Sequence, residues 1–149
     1  MSVPEGLRGK SEFGVSVKAN ALASYTMKIC INPNVFDPAY NDVITREIVT
    51  LAKDIFIAVY TANRINAVVT RGEEKLVNQE KLDTRRKLQK RALQDCSDLL
   101  ALIQMAGMHF HLSSKRIAHW GGMVVEVESM ISSWMESDRH IFNKIKHGT

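Results

Sequence analysis

Three observations predict an all-α protein, an antiparallel up-down four-helix bundle. Four separate stretches carry apolar residues every three to four positions, the period of a helix that buries one face. The three prolines lie outside these stretches or at their starts. Alternation of the kind a half-buried strand needs occurs only in short pieces. Helices of similar length joined by short or moderate connections pack most simply as neighbours running up and down. The chain, 1–149, reads as a single domain without internal repeat. A chain of this size buries roughly 68–70% of its unfolded surface, so its core needs no staples.

Residues 1–10 are turn-rich and read as an N-terminal arm. From Ser11 to about Ile31, the apolar positions Val15, Ala19, Leu22, Tyr25 or Thr26, and Ile29 mark the first helix. The run NPNVFDP then supplies Asn-Pro and Asp-Pro steps, which push the preceding residue out of helical space. After Pro38, which suits a first helical turn, Ile44, Ile48, Leu51, Ile55, Val59 and Ala62 form a second stripe. It spans about 25 residues, or roughly 37 Å. Segment 66–80, with its β-branched residues and Arg71-Gly72, interrupts the pattern and reads as a mobile loop.

The third helix begins between Glu73 and Thr84 and aligns Leu88, Ala92, Cys96, Leu99, Ile103, Ala106 and Phe110. Its outer face carries Arg86, Lys90, Arg91 and Asp98. Ser113 or Ser114 caps the fourth helix by accepting a hydrogen bond from a free first-turn amide. Its stripe runs through Ile117, Gly121, Val124, Val127 or Glu128, Ile131, Trp134, Asp138, Ile141 and Ile145. The Gly121-Gly122 pair costs about 1 kcal/mol per residue relative to alanine, which points to a close helix or subunit crossing there.

With 45% hydrophobic and 24% charged residues, the composition is that of a soluble globular protein. The net charge of +4 is compatible with an acidic partner without requiring one. No apolar run approaches the roughly 20 residues that span a bilayer, so no membrane is expected. The first residues hold no apolar signal region, and the expected location is the cytoplasm. Cys30 and Cys96 form no CxxC pair and read as reduced thiols serving as small core hydrophobes.

The stretch HFHLSSKRIAHWGG holds three of the five histidines. His109 and His111 sit about 200° apart on a helix, and His119 lies beyond a turn, so they make no metal site. Ser113 and Ser114 belong to a helix start rather than to a dyad with His111. No nucleophile elbow, HExxH, phosphate loop or paired carboxylates appear, so no enzyme, metal or cofactor is expected. The stronger signal is KLDTRRKLQKR, Lys81 to Arg91, with six basic residues against one acidic. Arg86 and Lys90, and likewise Lys87 and Arg91, stand one turn apart as a basic ridge. Such a ridge is either an ordinary solvated face or a phosphate-contacting surface, and Lys115 and Arg116 extend it at the next helix start. Met105, Met108, Met123, Met130 and Met135 fill core gaps or line an adaptable contact surface.

The text RRKLQKRALQDCSDLLALIQMAG, followed by HFHLSSKRIAHWGGMVVEVESMISSWMESDR, resembles a group of small bacterial four-helix-bundle proteins. That group includes the accessory variability determinant of diversity-generating retroelements and the proteins encoded in rRNA intervening sequences. KANALASYTMKIC and REIVTLAKDIFIAVYTANRI are similar to one branch of it. The resemblance covers Ser11 to Arg139 and rests on helix-packing patterns. It implies a ring-like homo-oligomer, a homopentameric barrel, that binds a reverse transcriptase and its RNA or DNA through basic surfaces. Arg85, Arg86, Lys87, Lys90, Arg91, Lys115 and Arg116 then become the nucleic-acid contacts. The alternative is a protein-interaction scaffold bundle that binds no nucleic acid.

Overall fold

The computed structural model describes residues 14–148, so the expected arm at residues 1–10 lies outside the described residues. Among the described residues, four α-helices make up most of the structure: α1 (Gly14–Cys30), α2 (Arg46–Asn63), α3 (Gln79–His109) and α4 (Ser114–His147). Each helix packs on the next in sequence, and α1 also packs on α4. Side-chain pairs fix their directions. Lys18 meets Glu126 at 3.2 Å while Thr26 meets Trp120 at 3.0 Å, so α1 and α4 run in opposite senses. Arg85 meets Asp138 at 2.6 Å while Gly107 faces Ile117, and α3 and α4 are opposed in the same way. Among the described residues no helix is long and apolar enough to cross a membrane.

The helices are not of similar length. α3 and α4 have 31 and 34 residues, against 17 and 18 in α1 and α2. At 1.5 Å per residue the longer pair outruns the shorter by about 20 Å. A hairpin of β1 (Val68–Arg71) and β2 (Glu74–Val77) helps cover the excess, since β2 packs on α4. There Ala67, Leu82 and Phe142 form a small second core, with Val68 and Val77 against it. Segment 66–80 is therefore not the plain loop that its sequence suggests. Val68 pairs with Val77 and Arg71 with Glu74 across a two-residue turn. Gly72 opens that turn at φ +64, a conformation that favours glycine and suits a tight hairpin. Asn78 then caps α3, its side chain accepting from the Lys81 N–H at 3.1 Å.

The main core is aliphatic between α1, α2 and α3, and aromatic where α4 begins. Trp120 is fully buried, and its indole N–H donates to the Thr26 hydroxyl, so the polar edge is satisfied. Phe36, from the α1–α2 connection, packs 4.7 Å from the Phe110 ring and 6.0 Å from Trp120. Asp37 caps a 3-10 turn at Pro38–Tyr40, accepting from the Ala39 N–H at 2.9 Å. A π turn at Asn41–Thr45 follows, so α2 starts at Arg46 rather than directly after Pro38. Ile44 and Ile48 are nonetheless both buried. The apolar stripe records which side chains face inward, and turns of different pitch can keep them there.

The α3–α4 turn is tight. The Leu112 N–H donates to the Gly107 carbonyl at 2.9 Å, the long closure of a Schellman ending. His111 takes the left-handed position at φ +57, where glycine is usual. Ser113 caps α4, accepting from the Arg116 N–H at 3.2 Å. Among the glycines of the described helices, the tightest surroundings are at Gly107 and not at Gly121-Gly122. A Cβ on Gly107 would stand 2.5 Å from Ile117 Cδ1, whereas one on Gly121 would meet Leu100 at 3.4 Å and one on Gly122 nothing within 4 Å.

The other end is keyed by charge. Arg85 is only 6% exposed, and its Nε and Nη2 donate to the two oxygens of Asp138 at 2.6 and 3.0 Å. Nη1 donates to the carbonyls of Ala62 and Ile65 at 3.3 and 3.0 Å, at the C-terminus of α2. Gln89 Nε2 adds a third donor to Asp138 at 3.0 Å, and the guanidinium stands 5.1 Å from the Trp134 ring. Arg85 is therefore no surface contact. Its phase on α3 is that of the core stripe, one turn before Gln89 and two before Ala92.

Asp138→Ala leaves the Arg85 guanidinium buried without its carboxylate and is expected to cost about 3–5 kcal/mol in urea unfolding. Arg85→Met combined with Asp138→Leu is expected to recover most of that loss, because no lone charge remains buried. Gly122→Ala is expected to add about 1 kcal/mol, since it gains helix propensity in open space. Gly107→Ala should fall short of that gain by about 1–3 kcal/mol in the same melts, because Ile117 must move.

Candidate nucleic-acid interface

The first turns of α3 carry the basic run, and helical phase sorts its members. Lys81, Lys87, Lys90 and Arg91 are exposed, Arg86 is half-buried, and Arg85 lies inside. Lys87 and Arg91 face solvent one turn apart. Arg86 and Lys90 lie about 100° back around the helix. There they line a groove between α3 and α4 of about 650 Å³, whose far wall carries Ser132, Met135, Glu136, Arg139 and Asn143. Gln89 and Leu93 complete the near wall. The ridge read from the sequence is thus two surfaces, one convex and one concave.

Lys115 and Arg116 are exposed in the first turn of α4, but they do not extend this patch. The Gly107–Ile117 contact sets them beside the far end of α3. Lys90 is 17 residues earlier on that helix, about 25 Å away. The antiparallel direction of α3 and α4 causes the separation: the start of α4 lies beside the end of α3, remote from the first turns of α3. Arg91 also faces acidic neighbours. Burial raises the Asp95 carboxyl above its usual range, Arg91 opposes that rise, and Asp54 and Asp98 add to it.

Arg139 is the cation that the sequence reading missed. Its surroundings, ESDRH, carry as much acid as base, so it belongs to no basic run. Its place follows from register alone: Asp138 opposite Arg85 sets Arg139 next to the turn of α3 that holds Arg86. Arg139 Nη2 donates to both oxygens of Glu136, at 2.6 and 2.5 Å, and His140 Nε2 lies 3.3 Å from Glu136 Oε1. The hydrogen bond from Arg139 holds Glu136 below the usual carboxylate range.

The histidines at the α3–α4 turn are spread among aromatic contacts. His109 packs edge-on against Tyr40 at 4.6 Å and Phe110 at 4.9 Å, and His119 against Tyr25 at 5.2 Å. Among the described residues, no group of three or more His, Cys, Asp or Glu side chains is placed to hold a metal ion. Ser113 spends its hydroxyl on the α4 cap. Cys30 and Cys96 are free and buried, and burial pushes each thiol up to about 12. For Cys96, Glu128 and Asp95 add to the rise.

Since the thiolate is the reactive form, the native protein at about pH 8 is expected to resist a water-soluble thiol reagent. The urea-unfolded chain should take up two equivalents, one for each cysteine of the sequence. Rapid native labelling at either position would show that its burial is not maintained.

Comparison of the chain with family models, with curated proteins and with solved structures finds no match in any of the three.

Proposed function

We propose that this chain is a non-enzymatic accessory protein of a diversity-generating retroelement. In this reading, antiparallel four-helix bundles assemble into a ring-like homo-oligomer, a pentamer, in the cytoplasm. The assembly holds a reverse transcriptase and its RNA or DNA. The observation that carries it is the placement of Arg86, Lys87, Lys90 and Arg91, four cations within two turns of α3 and none of them in the core. Phosphate contacts from such side chains release counterions, so the bound state weakens steeply as salt rises. The family itself rests on the helix-packing text of Ser11 to Arg139.

Exposed apolar residues supply the protein-contact half of the proposal. Met105 is 53% exposed and Met108 78%, both in the last turns of α3, and Val125 is 49% exposed on α4. Met123, Met130 and Met135 pack against the core instead. Unbranched, polarisable methionines adapt to a partner's shape, which suits subunit or polymerase contacts. The same residues favour the second reading, a scaffold bundle without nucleic acid.

Lys87→Glu, Lys90→Glu and Arg91→Glu together are expected to abolish retention of single-stranded RNA or DNA at physiological salt. The oligomer mass by light scattering should stay unchanged. Wild-type protein that binds neither nucleic acid at low salt overturns the first reading and leaves the scaffold.

A further inference from the structure

We infer that the α3–α4 groove is a binding site for one nucleotide unit of a single strand. Arg86, Lys90 and Arg139 would clamp the phosphate, and Leu93 with Met135 would meet the ring face. This rests on the nucleic-acid reading and deepens it, because the convex pair Lys87 and Arg91 alone would suit any polyanion.

Two features of the groove match two parts of a nucleotide. Its cations come from two helices, Arg86 and Lys90 from α3 and Arg139 from α4, with Glu136 the one anion among them. A guanidinium fork matches phosphate oxygens in pairs, and two of the three cations are arginines. Leu93 and Met135 put an apolar strip in the same concavity. An acidic peptide satisfies the clamp but offers no ring for the strip. A duplex presents its phosphates with its bases stacked inside, out of reach of the groove.

Glu136 makes the site competitive. In the free protein it occupies Arg139 through two hydrogen bonds. An incoming phosphate must therefore displace a carboxylate from Arg139, and removal of that carboxylate should favour the ligand.

Fluorescence anisotropy with a short fluorescein-labelled oligouridylate, titrated across salt, tests this. Arg139→Gln is expected to weaken binding and to lower the slope of log K against log salt by about 0.7, the loss of one single-strand phosphate contact. Glu136→Gln is expected to tighten binding. Both residues are exposed, and circular dichroism should be unchanged in both variants. If wild type binds and the Lys87→Glu, Arg91→Glu variant loses binding while Arg139→Gln and Glu136→Gln match wild type, the groove is overturned and the wider reading stands. If wild type does not bind at low salt, the wider reading falls and the groove with it. If Glu136→Gln tightens a labelled oligoglutamate but not the oligouridylate, the groove takes an acidic peptide and the inference is overturned.

Discussion

The buried ion pair of Arg85 and Asp138 is the constraint on which the rest of this structure depends. A guanidinium and a carboxylate removed from water face a desolvation cost of several kcal/mol per ion, so the pair survives only where nearly every donor and acceptor is used. Here the guanidinium reaches Asp138 on α4 and the carbonyls of Ala62 and Ile65, at the end of α2 and just beyond it. Three helices thereby meet at one side chain. An apolar contact at that place would tolerate a shift of one turn, whereas a bidentate pair does not. The pair sets the register of α3 against α4, and that register decides which surface residues face each other across the groove.

The opposite end is held by shape instead. Phe36, Tyr40, His109, Phe110 and Trp120 form a chain of edge-on and tilted rings around the α3–α4 turn. Gly107 lets Ile117 close against α3. The histidines there act as flat packing elements. The basic groups of α3 cluster at the charge-keyed end, while Lys115 and Arg116 stand exposed at the end closed by packing. The hairpin stands at the charge-keyed end, where it covers the apolar excess of the two long helices with Val68 and Val77.

Much of this was legible in the residues, unevenly. The apolar stripes gave the helices because burial of one face needs only a repeat near 3.6 residues, and that repeat is local. Asp138 stands on an apolar stripe, but nothing near it in the chain names its partner. Arg85 stood one turn before the stripe of its own helix, but its adjacency to Arg86 and Lys87 grouped it with the surface. The hairpin is not legible in the sequence because each strand has only four residues, with β1 half-buried and β2 mostly exposed, too short for a sustained alternation. Gly121-Gly122 drew attention as a pair, while the lone Gly107 made the closer approach.

The sequence by itself determined the helical class, a serine cap at Ser113 or Ser114, the loop at NPNVFDP and the basic character of α3, because each depends on residues within a few positions of one another. Only the tertiary structure decided which cations share a surface. It took Arg85 into the core, separated Lys115 and Arg116 from the ridge, and brought in Arg139 from a distant stretch. Charge is a property of each residue, but a site is a property of register between helices, and that register is fixed by one buried pair 53 residues apart in the chain.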